Sequence, residues 1–483
     1  MGVFYSTNPL DWSALDGIYI DDTSPPPSVT GVPANIAILV GQFERGSKNI
    51  QTVGSSGVLN QEYGNNSSYS GYIALLNKRF GTLKIARVVA ANAITATKVF
   101  QYAVGPVSII TFSALWAGAY GNNITVTITA GSTQGSKYVI HDGNANAVWP
   151  DETYDNVLIT NVGATFAQSN LITATVLSTA HEPSAIAATN LLTGSDGVVA
   201  DSDYQAAITS QTQTSGIGNI LFLDSYNTLR NSYLQASMAA TTDKMCLVTG
   251  QPGDSVATDI TDVALNRDTQ GRLIYAFPYV YTNVNGNPTE VNPCSFYAAL
   301  ISQIAPNIDP AYAANAQYLT GISSLSLALQ RSDYIALMAA GISAFELDPD
   351  LGIKVKSGVV TQIADSSKIM IFRRRMADYI IQSLAKYLVN YENAVNSADD
   401  RIAVGGAVMQ FNTLLEKAKL VPTDAEVSTG KASLIDTKSL NTDAAIASGS
   451  FYIIYKRRIY SSMRFIVLQT EIGESVVVTE SNG

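Results

Sequence analysis

The sequence predicts a multidomain α/β and α+β protein: an α/β core with an inserted β-rich domain, then a C-terminal α+β domain, with extended arms at both ends. Three observations support this. Residues 34–41 form a nearly continuous apolar run of strand length, typical of a strand buried on both faces. Residues 109–162 hold short β-branched segments separated by Gly- and Asn-rich turns. From about Arg373, apolar residues recur at helical spacing.

The first half of the chain alternates between two patterns. Residues 1–16 show no helical or strand period and are predicted to form an extended arm, followed by a short strand in 17–22 and a Pro-rich connector in 23–33. A helix around 70–80 and a strand at 83–89 complete the first α/β unit. From about Ala93 the pattern becomes all-β, with strands predicted at 109–112, 124–130 and 157–162. Such a patch inside an α/β chain indicates an inserted domain.

The α/β pattern resumes near residues 191–197. The predicted elements are a helix from Asp201, strands at 219–224, 244–250 and 273–281, and helices at 295–304, 312–328 and 332–340, the last of which ends at Gly341. Together these segments predict that the core domain is discontinuous, built from residues 17–92 and 191–365 around an insertion at 93–190.

Residues 366–473 are predicted to form two amphipathic helices followed by two strands, at 451–460 and 463–472. The chain then ends in a strand-like segment, 474–480, within a tail of residues 474–483. This terminal strand has two possible partners: the sheet of its own domain, or a sheet edge of another subunit. A fully extended tail could reach roughly 36 Å, so neither possibility is excluded.

Composition favours an assembling protein and argues against a nucleic-acid binder. Charged residues are only 14% of the chain, and the net charge is −10. A phosphate-binding surface needs a clustered excess of Lys and Arg, so we expect no nucleic acid as a partner. Residues 354–483 differ from the rest, with 16 Lys plus Arg against 13 Asp plus Glu. The C-terminal part is therefore suited to an acidic partner.

Catalytic and membrane signals are weak. Cys246 and Cys294 lie in apolar contexts and are predicted to be buried thiols. His141 and His181 lie in polar loops, and no metal-ligand or nucleophile-elbow motif is present, so we predict no catalytic residue, metal or cofactor. No apolar stretch is long enough to span a membrane, and the N-terminus lacks signal-peptide features, so we expect no direct membrane insertion.

Two sequence features partly match known binding or catalytic motifs. Gly41 to Lys48 follows a buried strand as a P-loop would, but it has Ser before Lys where a P-loop needs Lys before Ser or Thr, so a structural turn is the favoured interpretation. The carboxylate pairs Asp348/Asp350 and Asp399/Asp400 lie in turn-like contexts where Asp is common.

The order of the motifs resembles that of contractile bacteriophage tail sheath proteins. The segments that carry this resemblance are Gly17 to Ile20, Gly31-Val32, Ala37 to Gly41, Arg45-Gly46, Phe80-Gly81, Ala86 to Val88, Ala117 to Asn122, Leu192 to Gly197, Tyr275 to Tyr279, Asn292-Pro293 and Leu440 to Thr442. Asp16, Tyr120 and Cys294 depart from the family pattern, where Pro, Trp and Pro are common. The resemblance covers nearly the whole chain and is weakest in 130–190.

The resemblance implies a structural protein rather than an enzyme. A sheath subunit would polymerise in six-membered rings stacked around a tail tube, between a baseplate and a tail terminator. It would be assembled in the host bacterial cytoplasm and end up in the virion tail, where contraction drives the tube through the bacterial envelope. The arms would each add a strand to a neighbouring subunit, through Val3, Phe4 and Tyr5 at one end and Val476, Val477 and Val478 at the other.

The resemblance also implies that the C-terminal domain faces the tube. The candidate contacts are Arg401, Lys417 and Lys419, with Arg373, Arg374 and Arg375 in reserve. Two alternatives stay open at this point. One is the sheath of a related contractile injection particle or bacteriocin, and the other is a polysaccharide-active hydrolase, which would need two carboxylates converging in a cleft.

Overall fold

The computed structural model describes residues 2–5, 17–20, 31–33, 35–64, 82–144, 149–214, 219–241, 244–284, 286–365 and 368–462. The helix predicted around 70–80 and the strands predicted at 463–472 and 474–480 lie outside these ranges.

The elements are numbered in chain order. The strands are β1 (Gly2–Tyr5), β2 (Gly17–Ile20), β3 (Ile36–Gln42), β4 (Gln51–Val53), β5 (Thr82–Val88), β6 (Thr97–Tyr102), β7 (Val107–Ala114), β8 (Ile124–Ala130), β9 (Ser136–Asp142), β10 (Glu152–Val157), β11 (Ile172–Val176), β12 (Ile186–Asn190), β13 (Asn219–Leu223), β14 (Met245–Val248), β15 (Leu273–Phe277), β16 (Val280–Val284), β17 (Asn287–Val291), β18 (Ile322–Leu325), β19 (Ile342–Asp348), β20 (Gly352–Val355), β21 (Ser433–Asp436) and β22 (Ile454–Arg457).

The helices are α1 (Ser56–Tyr63), α2 (Val162–Phe166), α3 (Asp201–Thr214), α4 (Thr228–Thr241), α5 (Val256–Leu265), α6 (Cys294–Gln303), α7 (Arg331–Ala340), α8 (Ile371–Leu388), α9 (Ala398–Lys417) and α10 (Asp443–Ala447).

An eight-stranded sheet forms the centre of the molecule, in the order β20-β19-β15-β14-β13-β3-β5-β4. The six inner strands are parallel, and the strands at the two edges are antiparallel to their neighbours. The parallel strands are largely apolar, as expected for strands that are covered on both faces. Helix α6 packs within the core on one face, and α5 and α7 help to close the other.

A β-rich unit is inserted between β5 and α3. It contains two sheets, β10-β9-β8-β12 and β11-β7-β6, which share one hydrophobic core. Phe112, Tyr138 and Phe166 meet edge to face at the centre of this core, with ring centroids 4.8 to 5.7 Å apart. The alternating apolar residues of β8 and β9 supply much of the rest, since their inward positions are buried.

The C-terminal region is organised around α8 and α9. Their apolar stripes pack together, with Met376 and Ile380 on one helix and Ala407 and Phe411 on the other. Strands β21 and β22 form an antiparallel pair beside them. The Arg457 side chain on β22 is 3% exposed and donates from Nη1 to Glu416 Oε1 over 2.7 Å, so it ties β22 to α9.

Two predicted strands differ from the structure. Residues 157–162 were expected to be one strand, but β10 ends at Val157, and a 3-10 turn and α2 follow. The chain turns there because Phe166 must enter the core beside Phe112. Residues 273–281 form two strands, β15 and β16, that separate at Pro278, which has no N–H to donate to a sheet.

The helix predicted at 312–328 is also wrong. The segment instead contains a 3-10 turn at 313–318 and strand β18, which pairs with β16. The Ala-rich composition favours a helix, but the 3-10 turn stops at Tyr318, and Gly321 adopts a positive φ of 97° directly before β18. The Asn315 side chain donates to the carbonyl of Asp309, which fixes a compact turn instead of a longer helix.

Candidate assembly surfaces

The N-terminal arm residues lie in β1, which pairs in parallel with β2 of the same chain. The paired residues are Val3 with Ile18, Phe4 with Tyr19 and Tyr5 with Ile20. The predicted partners at the other end, Val476, Val477 and Val478, lie outside the described residues. One of the two predicted arms is therefore placed, and its backbone pairs within its own subunit.

Arg375, a reserve candidate for tube contact, is buried. Its guanidinium donates to the carbonyls of Ile301, Ile304 and Ala305, at 2.8, 3.1 and 3.4 Å. These carbonyls end helix α6, where the helix dipole favours a cation. Burial lowers the pKa of Arg375 to about 9. Arg375, early in α8, therefore serves to cap the end of α6 inside the molecule. It cannot contribute to an exposed contact surface.

A second buried charge cluster joins α8 to the central sheet. Arg272, just before β15, donates from Nη2 to Asp378 Oδ1 over 2.6 Å and from Nε to Oδ2 over 3.0 Å. Arg374 pairs with the same carboxylate one helical turn earlier. Val32 is tied to α8 as well, since its N–H donates to Ser383 Oγ over 3.1 Å. The C-terminal helices are thus attached to the core by buried polar contacts.

The three first-choice basic candidates lie at the two ends of α9. Arg401 is half-buried, and its Nη1 donates to the carbonyl oxygen and Oδ1 of Asn396, at 2.6 and 3.0 Å. Lys417, in the last turn, and Lys419, just beyond it, are exposed. Of the reserve set, Arg373 is half-buried at the start of α8. The structure therefore leaves Lys417 and Lys419 as the most accessible cations of the set.

Between these ends, the exposed side of α9 carries two large apolar side chains. Ile402 and Met409, seven residues apart, are 73% and 49% exposed. Residues seven apart lie on one face of a helix, which Thr413 and Lys417 extend. The sequence predicted an amphipathic helix with one apolar face, so this second face was missed. We call the face defined by Ile402, Met409, Thr413 and Lys417 the α9 outer face.

The β-rich unit is joined to the central sheet around Arg87. This buried side chain donates to four carbonyls, those of Phe43, Glu44, Gly46 and Ala117, at 2.9 to 3.0 Å. Burial lowers its pKa to about 10. The chain segments that enter and leave the unit meet nearby, where Asp196 accepts a hydrogen bond from the N–H of Ala119 over 2.8 Å. Several of the motifs that carried the family resemblance therefore converge on one junction.

Arg45 makes a second connection between the β-rich unit and the core. Its Nη1 lies 3.0 Å from Asp142 Oδ2, and both side chains are almost fully buried. Its other nitrogens donate to the carbonyls of Asn60 and Gln61. Sequence reasoning recorded Arg45 and Arg87 as motif residues without a role. The available signal was an arginine in a buried apolar strand, which needs internal partners.

The P-loop-like segment is a structural turn. Its carbonyls at Phe43, Glu44 and Gly46 point to Arg87, so the loop presents acceptors where a phosphate would need N–H donors. Gly46 has a φ of 105°, and an added Cβ would come within 2.5 Å of the Tyr63 ring. The glycine is therefore required by the turn and by close packing.

Two buried carboxylates follow strands of the central sheet: Asp224 comes directly after β13, and Asp259 lies in α5, the helix after β14. Asp224 accepts from the N–H of Gln42 and from Tyr204 Oη, at 2.8 and 2.7 Å, and burial raises its pKa. Asp259 is fully buried and accepts from Tyr275 Oη over 2.7 Å. Burial raises the pKa of Asp259 to about 7, partly opposed by the Tyr275 hydrogen bond. Each carboxylate is bonded to groups of its own domain.

The remaining chemical candidates are dispersed. His141 is exposed and lies 2.6 Å from Asp151, and His181 stacks on Tyr102. Asp348 accepts from backbone N–H groups of its hairpin turn, and Asp399 lies in the first turn of α9.

Cys246 and Cys294 are buried thiols, as predicted. Within the described ranges, no three His, Cys, Asp or Glu side chains are grouped so as to hold a metal. Every helix in those ranges is too short or too polar to cross a membrane.

Comparison with known proteins finds similarity in structure but not in sequence. No protein-family model matches the chain, and no curated protein matches it in sequence. Among solved structures, the sheath tail protein from Desulfitobacterium hafniense matches with a TM-score of 0.61 and 16% identity, covering 92% of this chain and 100% of the other.

Two further structures show the same similarity. The sheath tail protein from Listeria innocua matches with a TM-score of 0.64 and 11% identity, covering 89% of this chain and 96% of that one. The helical sheath of the anti-feeding prophage in its contracted state matches with a TM-score of 0.57 and 14% identity, covering 95% and 99%. This chain therefore has the fold of contractile tail sheath proteins, along nearly its whole length.

Proposed function

We propose that this chain is the structural subunit of a contractile sheath. It polymerises as stacked six-membered rings around a tail tube, and it contracts to drive that tube through a bacterial envelope. The observation that carries the proposal is the extent of the similarity, which spans 92% of this chain and 100% of the Desulfitobacterium hafniense sheath tail protein. A match of this extent includes the core, the β-rich unit and the C-terminal helices, so it concerns a whole subunit.

The mechanism is mechanical and needs no cofactor or catalytic residue. Subunits assemble in an extended, metastable state and then rotate to new contacts of lower free energy. A preference of about 99:1 requires only ~2.7 kcal/mol per cooperative unit, so modest differences per subunit are sufficient. The buried arginine junctions support this mechanism, because Arg87 and Arg272 tie the β-rich unit and α8 to the central sheet. A subunit connected in this way moves as one body.

Each surface of the subunit then has a role. The arms, through Val3, Phe4 and Tyr5 and through Val476 to Val478, add strands to neighbouring subunits and keep the lattice connected. The α9 outer face, together with Lys417 and Lys419, contacts the tube, and Arg401 supports it from the other end of the helix. Exposed charge pairs contribute about 0–1 kcal/mol each, so such contacts can be broken as the sheath widens.

The particle to which the sheath belongs has two candidates. The first is a bacteriophage tail, in which the sheath is assembled in the host cytoplasm between baseplate and terminator proteins and contracts to deliver a genome. The second is a contractile injection particle or bacteriocin. The similarity to the anti-feeding prophage sheath supports this second candidate. Genes for a capsid and a terminase beside this one would identify a phage.

The experiment that tests the proposal is negative-stain electron microscopy of the purified full-length chain, expressed without a tube protein. We expect hollow, striated tubes, trapped in the contracted form because no tube holds the lattice extended. Monodisperse particles that persist at high protein concentration would contradict the proposal. A search for a carboxylate-lined cleft, as a hydrolase requires, would then be the next step.

A further inference from the structure

The parallel pairing of β1 with β2 has a consequence for assembly. All four residues of β1, Gly2 to Tyr5, are in register with β2, Gly17 to Ile20, of the same chain. This two-stranded sheet is separate from the other sheets of the described residues. Backbone groups that β1 would offer to a neighbouring subunit are therefore already paired with β2 along one edge.

This pairing is weak by itself. A single pair of strands is marginally stable in water, and parallel pairs are slightly less stable per residue than antiparallel ones. The short connection of residues 6–16 compensates, because it holds β1 near β2 at an effective concentration in the millimolar range. A separate subunit at micromolar concentration offers its edges at roughly a thousandth of that value. In dilute solution, pairing within the chain is therefore favoured.

We propose that the β1–β2 pair is an autoinhibitory clasp, and that its occupant after release is a second copy of this chain. The free subunit keeps its arm on β2, which occupies one edge of each strand and so reduces the unpaired edge available for indiscriminate association. Once a subunit docks through its folded surfaces, the neighbour's sheet edge is also tethered close to β1. The two pairings then compete at similar effective concentrations, and β1 transfers. Docking precedes arm exchange, so growth is restricted to an existing lattice.

This inference rests on the proposed sheath function, and the two can be tested separately. The test joins Val3→Cys to Ile18→Cys, since these residues are direct partners. Neighbouring strands lie about 4.8 Å apart, within the range that a disulfide spans. The native thiols, Cys246 and Cys294, are buried, so mild oxidation addresses the introduced pair. The two single variants serve as controls.

Assembly is followed by sedimentation and negative-stain electron microscopy, and disulfide formation by mass spectrometry of peptides. We expect the oxidised double variant to remain unassembled at concentrations at least about tenfold above those at which the controls form tubes. Reduction should restore tubes, which excludes misfolding as the cause.

Three outcomes would decide against the clasp or its basis. Failure of the disulfide to form would show that β1 does not occupy this register in the free subunit. Tubes formed equally by the oxidised variant would show that β1 need not leave β2. If the unmodified chain and the single variants form no tubes, the proposed sheath function fails, and the clasp proposal fails with it.

Discussion

Arg272, directly before β15, and Asp378, in the middle of helix α8, form a buried, bidentate ion pair. The N–O distances are 2.6 and 3.0 Å. The pair lies 106 positions apart in sequence. Its geometry matches the planar guanidinium to both carboxylate oxygens, the arrangement that gives such pairs their strength and direction.

Replacing Asp378 with Asn should destabilise the subunit by about 3 kcal/mol or more, because two arginines, Arg272 and Arg374, would lose their buried counter-charge. Urea denaturation followed by tryptophan fluorescence would measure the change. The matched control is the triple variant Arg272→Met/Arg374→Met/Asp378→Leu, which removes all three charges and should recover part of the loss. Equal stability of Asp378→Asn and the unmodified chain would contradict this account.

Arg375→Met should lower stability by about 2 kcal/mol. The substitution leaves the terminal carbonyls of α6, at Ile301 and Ile304, without their donor in a buried site. The exposed variant Lys417→Met should change stability by less than about 0.5 kcal/mol. Thermal unfolding monitored by circular dichroism compares the two variants. Similar midpoints for both would mean that Arg375 does not cap α6.

Stability should depend on pH through Asp259. Its folded-state pKa is about 7, whereas an aspartate in an unfolded chain titrates near ~3.9. Between these values the folded state binds the extra proton, so the free energy of unfolding falls as pH rises, by up to about 1.4 kcal/mol per pH unit. The contribution is complete below about pH 4 and is lost as pH rises through 7.

Asp259→Asn retains an acceptor for Tyr275 and removes the titration. Urea denaturation between pH 5 and 8 should therefore give a flatter pH profile for this variant than for the unmodified chain. Asp350→Asn is the control, since that carboxylate is exposed in the turn between β19 and β20. Parallel profiles for all three proteins would show that Asp259 does not hold a proton in the folded state.

The α9 outer face can be tested by placing a charge in it. Met409→Glu should leave the subunit folded, because the side chain is half exposed, but should abolish co-assembly with the tube protein. Lys417→Glu/Lys419→Glu should weaken co-assembly by a smaller and salt-dependent amount. Co-sedimentation at two salt concentrations measures both effects. Undiminished co-assembly of Met409→Glu would remove this face from the tube contact.

Removing residues 474–483 should give a folded subunit that does not polymerise, because in the proposed function the tail supplies the strand that links neighbours. Circular dichroism would establish that the truncated chain is folded, and electron microscopy would show whether it assembles. Long, ordered tubes from the truncated chain would exclude a linking role for this arm.

The sequence was sufficient to predict the layered core and the two C-terminal helices, because their signals are local. The apolar run at 34–41 and the helical stripes from Arg373 depend only on spacing within one element, and β3, α8 and α9 follow them. The sequence was likewise informative at Gly341, whose positive φ of 87° ends α7 as a glycine after a helix commonly does.

The sequence was insufficient where a side chain's partner is distant. Arg375 and Arg87 each bond to carbonyls at least 30 positions away, and no local pattern records such contacts. The run Arg373 to Arg375 looked like one basic surface cluster, yet Arg375 is buried and Arg374 pairs with Asp378. Tertiary contacts thus separated three identical neighbours into different roles.

The two chain crossings of the β-rich unit lie side by side, with Ile94 and Ser195 exchanging backbone hydrogen bonds of 2.8 and 3.0 Å. An insertion whose entry and exit touch is geometrically a cassette: a short turn could rejoin the ends without displacing β5 or α3. Evolution could exchange, enlarge or delete such a cassette with little effect on the central sheet. A laboratory could use the same position to mount a foreign domain on every subunit of a polymer.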